Sequence, residues 1–330
     1  MRLSKATLGT IVTLAAFFVI PYVFSDSALV VSVCILVAIF TVMSYGTDLV
    51  LSYLGEVSLG HPIFLAVGAY AAGYCSTRLG LDPWLTLAIA ILLSLVVGAI
   101  LGLVTLRVRE FIFSVVTYAS TIVIYEIVFN TKALGGSEGL TAIPLMTLPF
   151  FGTSYTADTN IAMWPVAFVV LLLAVYFVSR FRTSKIGRQA LMVHLNPDLA
   201  TSLGIDVQKL RLQVFLVSAP IPAIAGWLYA YQRGYVGPDL FQPYFMILTL
   251  TAIILFGRRQ LLGPLFGVAV ILVQENFFSV GGDGNKVIVG TILVVVLVLM
   301  PNGVARTWLR RRAQACEEPA GKGGIKVQSA

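Results

Sequence analysis

The sequence predicts an all-α, polytopic helical membrane protein with about ten transmembrane helices and both termini cytoplasmic. Three observations lead there. Of the 330 residues, 58% are hydrophobic and 11% are charged, whereas a soluble domain is roughly a quarter charged. Apolar runs recur at close to the ~20 residues that a helix needs to cross a bilayer. These runs are continuous rather than alternating, which selects helices over a β-barrel.

In chain order the runs fall at 7–24, 28–45, 57–77, 83–105, 111–130, 161–179, 213–232, 244–257, 262–280 and 286–300. Arg2 and Lys5 ahead of the first run resemble a signal peptide. That run is long, however, and "VFSDSALV" (23–30) offers no clear small-x-small cleavage site, so it is read as an uncleaved helix. The third run opens with "GEVSLGHPIFLAVGAYAAG" (55–73), where Glu56 and His61 are expected near the interface and Gly68 permits close helix approach. "GAILG" in the fourth run and "GPLFG" in the ninth set Gly98 with Gly102, and Gly263 with Gly267, at the spacing that suits helix packing. Pro220, Pro222 and Gly226 predict a kink in the seventh run. The eighth and tenth runs are short, which leaves room for broken or tilted segments.

Basic residues orient these runs. With both termini inside, all 22 Lys and Arg lie on the cytoplasmic side except Arg78, Lys132, Arg233 and Lys286. Residues 1–305 then form one transmembrane domain, with a long periplasmic loop at 131–160 and a long cytoplasmic loop at 180–212. Residues 306–330 read as a basic, then disordered, cytoplasmic tail. Within the cytoplasmic loop, Asn196 is placed to cap a short helix that starts at Pro197 and ends at Gly204.

Several chemistries are disfavoured by composition. Two histidines and the scattered Cys34, Cys75 and Cys316 provide neither a metal cluster nor a disulfide framework. The net charge of +7 sits beside apolar runs without an aromatic platform, so nucleic acid is not an expected partner. There is no phosphate-binding loop, and "GKGGIK" near the tail has the wrong spacing. No cofactor is expected, and any ATP must be bound by another chain. Glu126 and Glu275 are ionisable residues within predicted spans, a costly placement that makes them candidates for a pathway or for polar packing. Thr117 and Asn276 join them as candidates.

The segment "DLATSLG" (198–204) resembles the Glu-Ala-Ala-x-x-x-Gly signature of ABC importer permeases, with Asp198 in place of the glutamate and Leu199 in place of an alanine. "SLGHPIFLAVGAY" (58–70), "LRVREFIFSVVTYAS" (106–120), "LGGSEGLTAIP" (134–144), "SKIGRQAL" (184–191), "SLGIDVQKLRLQVFLVSA" (202–219) and "LLGPLFGVA" (261–269) resemble, in order, LivM-type permeases of branched-chain amino acid importers. The resemblance runs from about residue 30 to 304. It departs at "MVHLN" (192–196), at Glu110 after Arg109, at "GRRQ" (257–260), and at Pro220 and Pro222.

The resemblance implies a pore subunit in the bacterial inner membrane, passing branched-chain amino acids or a related small polar solute by alternating access. It implies two cytoplasmic ATPase subunits, a second permease subunit and a periplasmic solute-binding protein as partners. Asp198, Ala200 and Gly204 would mark the ATPase-coupling element. Two rival readings are a proton-coupled carrier using Glu126 or Glu275, and an intramembrane enzyme with Glu56 and His61 as base and acid.

Overall fold

A computed structural model describes residues 5–105, 110–150 and 153–277, with isolated positions at 284, 287, 288 and 291. The tail at 306–330 and nearly all of the tenth run lie outside the described residues. Helices α1 (Lys5–Val23), α2 (Ala28–Tyr53), α3 (His61–Arg78), α4 (Pro83–Thr105) and α5 (Glu110–Asn130) come first. A hairpin of β1 (Met146–Phe150) and β2 (Thr153–Ala157) follows. Next are α6 (Asn160–Thr183), α7 (Lys185–Leu195), α8 (Pro197–Ser202), α9 (Val207–Ser218), α10 (Pro220–Arg233), α11 (Pro243–Phe256) and α12 (Gly263–Phe277).

Each of the first nine runs read from the sequence overlaps helix, although the third was expected to begin at residue 57 and α3 begins only at His61. Five helical stretches are long and apolar enough to cross a membrane: Ala28–Tyr53, Pro83–Val104, Phe111–Asn130, Asn160–Thr183 and Val207–Arg233. Large apolar side chains face outward from them, including Leu92 at 62% and Phe111 at 78% exposure. Such a surface is stable only against lipid. The protein is an all-α, multi-pass membrane protein.

Three further details differ from the sequence reading. The second run was expected to end near residue 45, but α2 continues to Tyr53 and carries Asp48 into the interior. The seventh run is divided at Ala219, where Pro220 opens α10 in a position that needs no intrahelical N–H bond. The long loop after α5 contains an antiparallel hairpin, with Met146 opposite Ala157 and Phe150 opposite Thr153. Its signal was the alternation of buried Met146 and Leu148 with exposed Thr147 and Pro149. The loop is also tied down by Leu140, whose N–H donates to the Val236 carbonyl at 2.8 Å and whose carbonyl accepts from Val236 at 3.0 Å.

Helix packing rests on missing side chains. A Cβ on Gly68 of α3 would collide with the Ala223 backbone of α10, and one on Gly226 of α10 would collide with the Leu65 carbonyl of α3. The two helices therefore meet backbone to backbone through reciprocal glycines. Gly267 approaches Ala252 across α11 and α12 in the same way. Gly98 lies against Ala219, and Gly102 against Leu212. Gly263 lies where α12 leaves the turn from α11, against Gln260 and Gly257 of that turn and Phe256 at the end of α11.

Gly226→Ala should destabilise the protein by about 1–3 kcal/mol, because backbone rather than a flexible side chain blocks the added methyl. Gly9→Ala, with nothing within 4 Å, should be neutral or slightly stabilising. Unfolding temperatures in one detergent compare them directly.

Candidate functional site

The loop between α6 and α10 folds into a small helical module. Ser184 caps α7 by accepting from the Gly187 N–H at 3.1 Å, and Asn196 Oδ1 caps α8 by accepting from Leu199 at 3.0 Å. Pro197 occupies the first turn of α8. Gly204 follows it in the left-handed conformation at φ 79°, where L side chains are strained. Asp206 Oδ1 then caps α9 by accepting from Lys209 at 3.1 Å. Val193, Ala200 and Leu210 form a private core with Ile186, Ile205 and Val207. Ala200 therefore points inward, while Asp198 is exposed.

The outer surface of this module is unexpectedly apolar. Met192, Leu195, Leu199 and Leu203 are 47%, 72%, 58% and 66% exposed. Arg180, Arg182, Lys185 and Arg188 lie in the same stretch, so this end of the bundle is outside the apolar layer. Exposed apolar side chains grouped in a basic stretch are the kind of surface that a protein partner or a membrane covers.

The module rests on the link between α2 and α3, residues 54–60. Gly55 has φ 77°, and a Cβ there would run into the His194 ring of α7. Glu56 forms an ion pair with Arg211 of α9, with side-chain exposures of 12% and 7%. Ser114 Oγ of α5 donates to the Val57 carbonyl at 2.7 Å, and the Leu59 N–H donates to Thr117 Oγ1 at 3.2 Å. His61 is fully buried, with Nδ1 2.8 Å from Ser58 Oγ and Nε2 3.1 Å from Ser218 Oγ. Ser218 gives its own proton to the Phe215 carbonyl at 2.8 Å, which leaves it to accept from Nε2–H.

This geometry changes the reading of residues 55–61. Glu56 is half-buried and His61 fully buried, so both are built into the packing. They are also engaged by different partners, Arg211 for one and Ser58 with Ser218 for the other, so no acid–base pair is assembled.

The remaining polar candidates are dispersed. Thr117 is buried on α5, where its hydroxyl lies 2.9 Å from the carbonyls of Phe113 and Ser114 and accepts from Leu59 of the link. Glu126 is exposed near the end of α5, where Asn130 Nδ2 reaches its Oε2 at 3.3 Å. Glu275 accepts a hydrogen bond from the Tyr244 hydroxyl, and Asn276 Nδ2 donates to the Leu272 carbonyl at 2.8 Å within α12. A groove of about 860 Å³ between α4, α6 and α10 is lined by aliphatic and aromatic residues such as Leu95, Val169, Leu173 and Trp227, and offers little to a polar solute. No cluster able to hold a metal ion occurs among the described residues.

Sequence reasoning missed Asp48, Ser52, Arg211 and Arg259. Asp48 is 3% exposed and accepts from Ser52 Oγ at 2.5 Å. Arg259, in the turn before α12, donates from its backbone N–H to Ser52 Oγ at 3.2 Å and from Nε to the Ser52 carbonyl at 2.8 Å. The usable signal was an aspartate and a serine four residues apart in an otherwise apolar stretch.

The family model for the permease component of branched-chain amino acid transport systems matches residues 29–299. The chain belongs to this permease family. The LivM permease of the high-affinity branched-chain amino acid transport system of Escherichia coli K12 is 25% identical, over 83% of this chain and 69% of its own length. A probable LivH permease of Methanocaldococcus jannaschii is 26% identical, over 73% of this chain and 80% of its own. The fructose import permease FrcC of Rhizobium meliloti is 25% identical, over 84% and 77% respectively. No solved structure matches significantly. The expected LivM-type resemblance holds, and this permease is a transport component rather than an enzyme.

His194 of the permease lies outside the spans, and burial foremost, with Arg259 and Arg258, holds its imidazole below the ordinary 6.5. A hydrogen bond with the Leu54 backbone acts in the opposite sense. The folded state thus favours the neutral ring, so its contribution is present above pH 6.5 and is lost as pH falls through the lowered value. Hydrogen exchange in 185–195, corrected for intrinsic rates, should rise below pH 6.5, and His194→Gln should flatten that dependence.

Proposed function

We propose that this chain is the pore-forming permease subunit of an ABC importer in the bacterial inner membrane. It crosses the membrane ten times with both termini cytoplasmic, and the α7–α8 module faces the cytoplasm. Separate ATPase subunits bind ATP and drive alternating access; a second permease completes the pathway, and a periplasmic binding protein delivers solute to the hairpin side. The solute is a branched-chain amino acid or a related small polar molecule. Relatives named for amino acids and for fructose match at similar identity, so the name of one relative does not decide among solutes.

The observation that carries this reading is the exposed apolar face of α7–α8 beside a helix capped at both ends. Ala200 and the Asn196 cap hold the module rigid, Gly204 turns the chain back, and Leu195, Leu199 and Leu203 present the surface on which an ATPase would sit. Asp198 flanks that surface and supplies a charge for its register. The proton-coupled alternative gains no support, because Glu126 and Glu275 each bond locally rather than pairing.

Co-expression with the cognate ATPase tests this. Leu199→Asp with Leu203→Asp should abolish co-purification and ATP-dependent uptake while leaving the unfolding temperature of the permease alone unchanged, since both side chains are solvent-exposed. Proton-driven uptake without any ATPase would refute the assignment. A bulky residue at Gly204, where space is open but the backbone is left-handed, should cost about 1–2 kcal/mol and reduce coupling.

A further inference from the structure

We propose that the link at residues 54–60, together with His61 at the start of α3, is the element that transmits movement of the α7–α8 module to the pore helices. The inference rests on the importer reading and adds to it the residues that carry the coupling. The link has four separate attachments, each to a different part of the molecule. His194 of α7 packs on Gly55, leaving no room even for a methyl group. Glu56 holds Arg211 at the start of the seventh span. The hydroxyls of Ser114 and Thr117 hold Val57 and Leu59 to α5. His61 joins Ser58 within the link to Ser218, where α9 gives way to α10.

A non-helical link has no internal ladder to absorb displacement, and its buried polar groups are costly to leave unpaired. A shift of α7 against Gly55 is therefore passed on through Glu56 and His61 to both ends of α9, and through Val57 and Leu59 to α5. The same link is continuous with α3, whose Gly68 locks against α10. Four helices thus receive one displacement from eight residues. Nothing in this chain of contacts requires a group to titrate or a bond to be made; the link acts by position alone.

The test uses the complete complex in proteoliposomes, with leucine as the solute probe and uptake measured per ATP hydrolysed. Glu56→Gln and Arg211→Gln each remove one charge of the ion pair, whereas the double variant removes both. If the link transmits movement, all three variants co-purify with the ATPase and retain basal ATP hydrolysis, yet uptake per ATP falls about fivefold or more. Thr117→Val should behave in the same way and Thr117→Ser should restore coupling, because only the hydroxyl is needed to accept from Leu59. Wild-type uptake per ATP in the double variant would overturn the proposal and leave the pair a structural one. Loss of uptake strictly in proportion to assembled complex would overturn it too. A wild-type complex that hydrolyses ATP but takes up leucine only with a proton gradient would instead remove the importer reading, and the proposal with it.

Discussion

The bundle depends on one constraint: a stretch of chain that is not helical lies half-buried among helices, and its polar groups must be satisfied there. Residues 54–60 break the regular ladder between α2 and α3, in a protein whose lipid-facing parts cannot use water to make good the loss. Side chains from α5, α7, α9 and α10's approach supply the missing partners. The Glu56–Arg211 ion pair ties this segment to α9. Because the link sets where α3 begins, it also sets the register in which Gly68 meets Ala223 and Gly226 meets Leu65. The close backbone contact between α3 and α10 thus follows from the way a short polar segment is bonded.

This arrangement explains why the motif at residues 55–61 mixes residue types that seem to conflict. Gly55 is required by a positive φ and by the His194 ring, two independent reasons for lacking a side chain. Ser58 and His61 are polar because each satisfies the other inside the packing. Pro62 is tolerated because it lies in the first turn of α3, where its missing N–H removes nothing. A second polar tie at the same end, from Arg259 through Ser52 to Asp48, fastens the α11–α12 turn to α2.

Much of the fold was legible because apolar run length is a local property. The helices α4, α5 and α6 fall close to the expected spans, and the Asn196 cap with Gly204 placed α8 correctly. What was not legible depended on distant partners. Arg211 lies 155 positions beyond Glu56, and His61 to Ser218 is a separation of 157, so no local pattern distinguishes a buried pair from residues at an interface. Asp48 lay beyond the expected end of the second run, and its compensation comes from Ser52, which an arginine far along the chain also bonds.

If the link carries motion between the α7–α8 module and the pore helices, it must respond when nucleotide binds elsewhere in the complex. Hydrogen exchange on the assembled importer, with and without trapped ATP, measures that response peptide by peptide. The account predicts that protection changes together in 185–195, 54–61 and 112–121, the segments joined through His194, Ser114 and Thr117. A change confined to 185–195, with 54–61 unaltered, would contradict it.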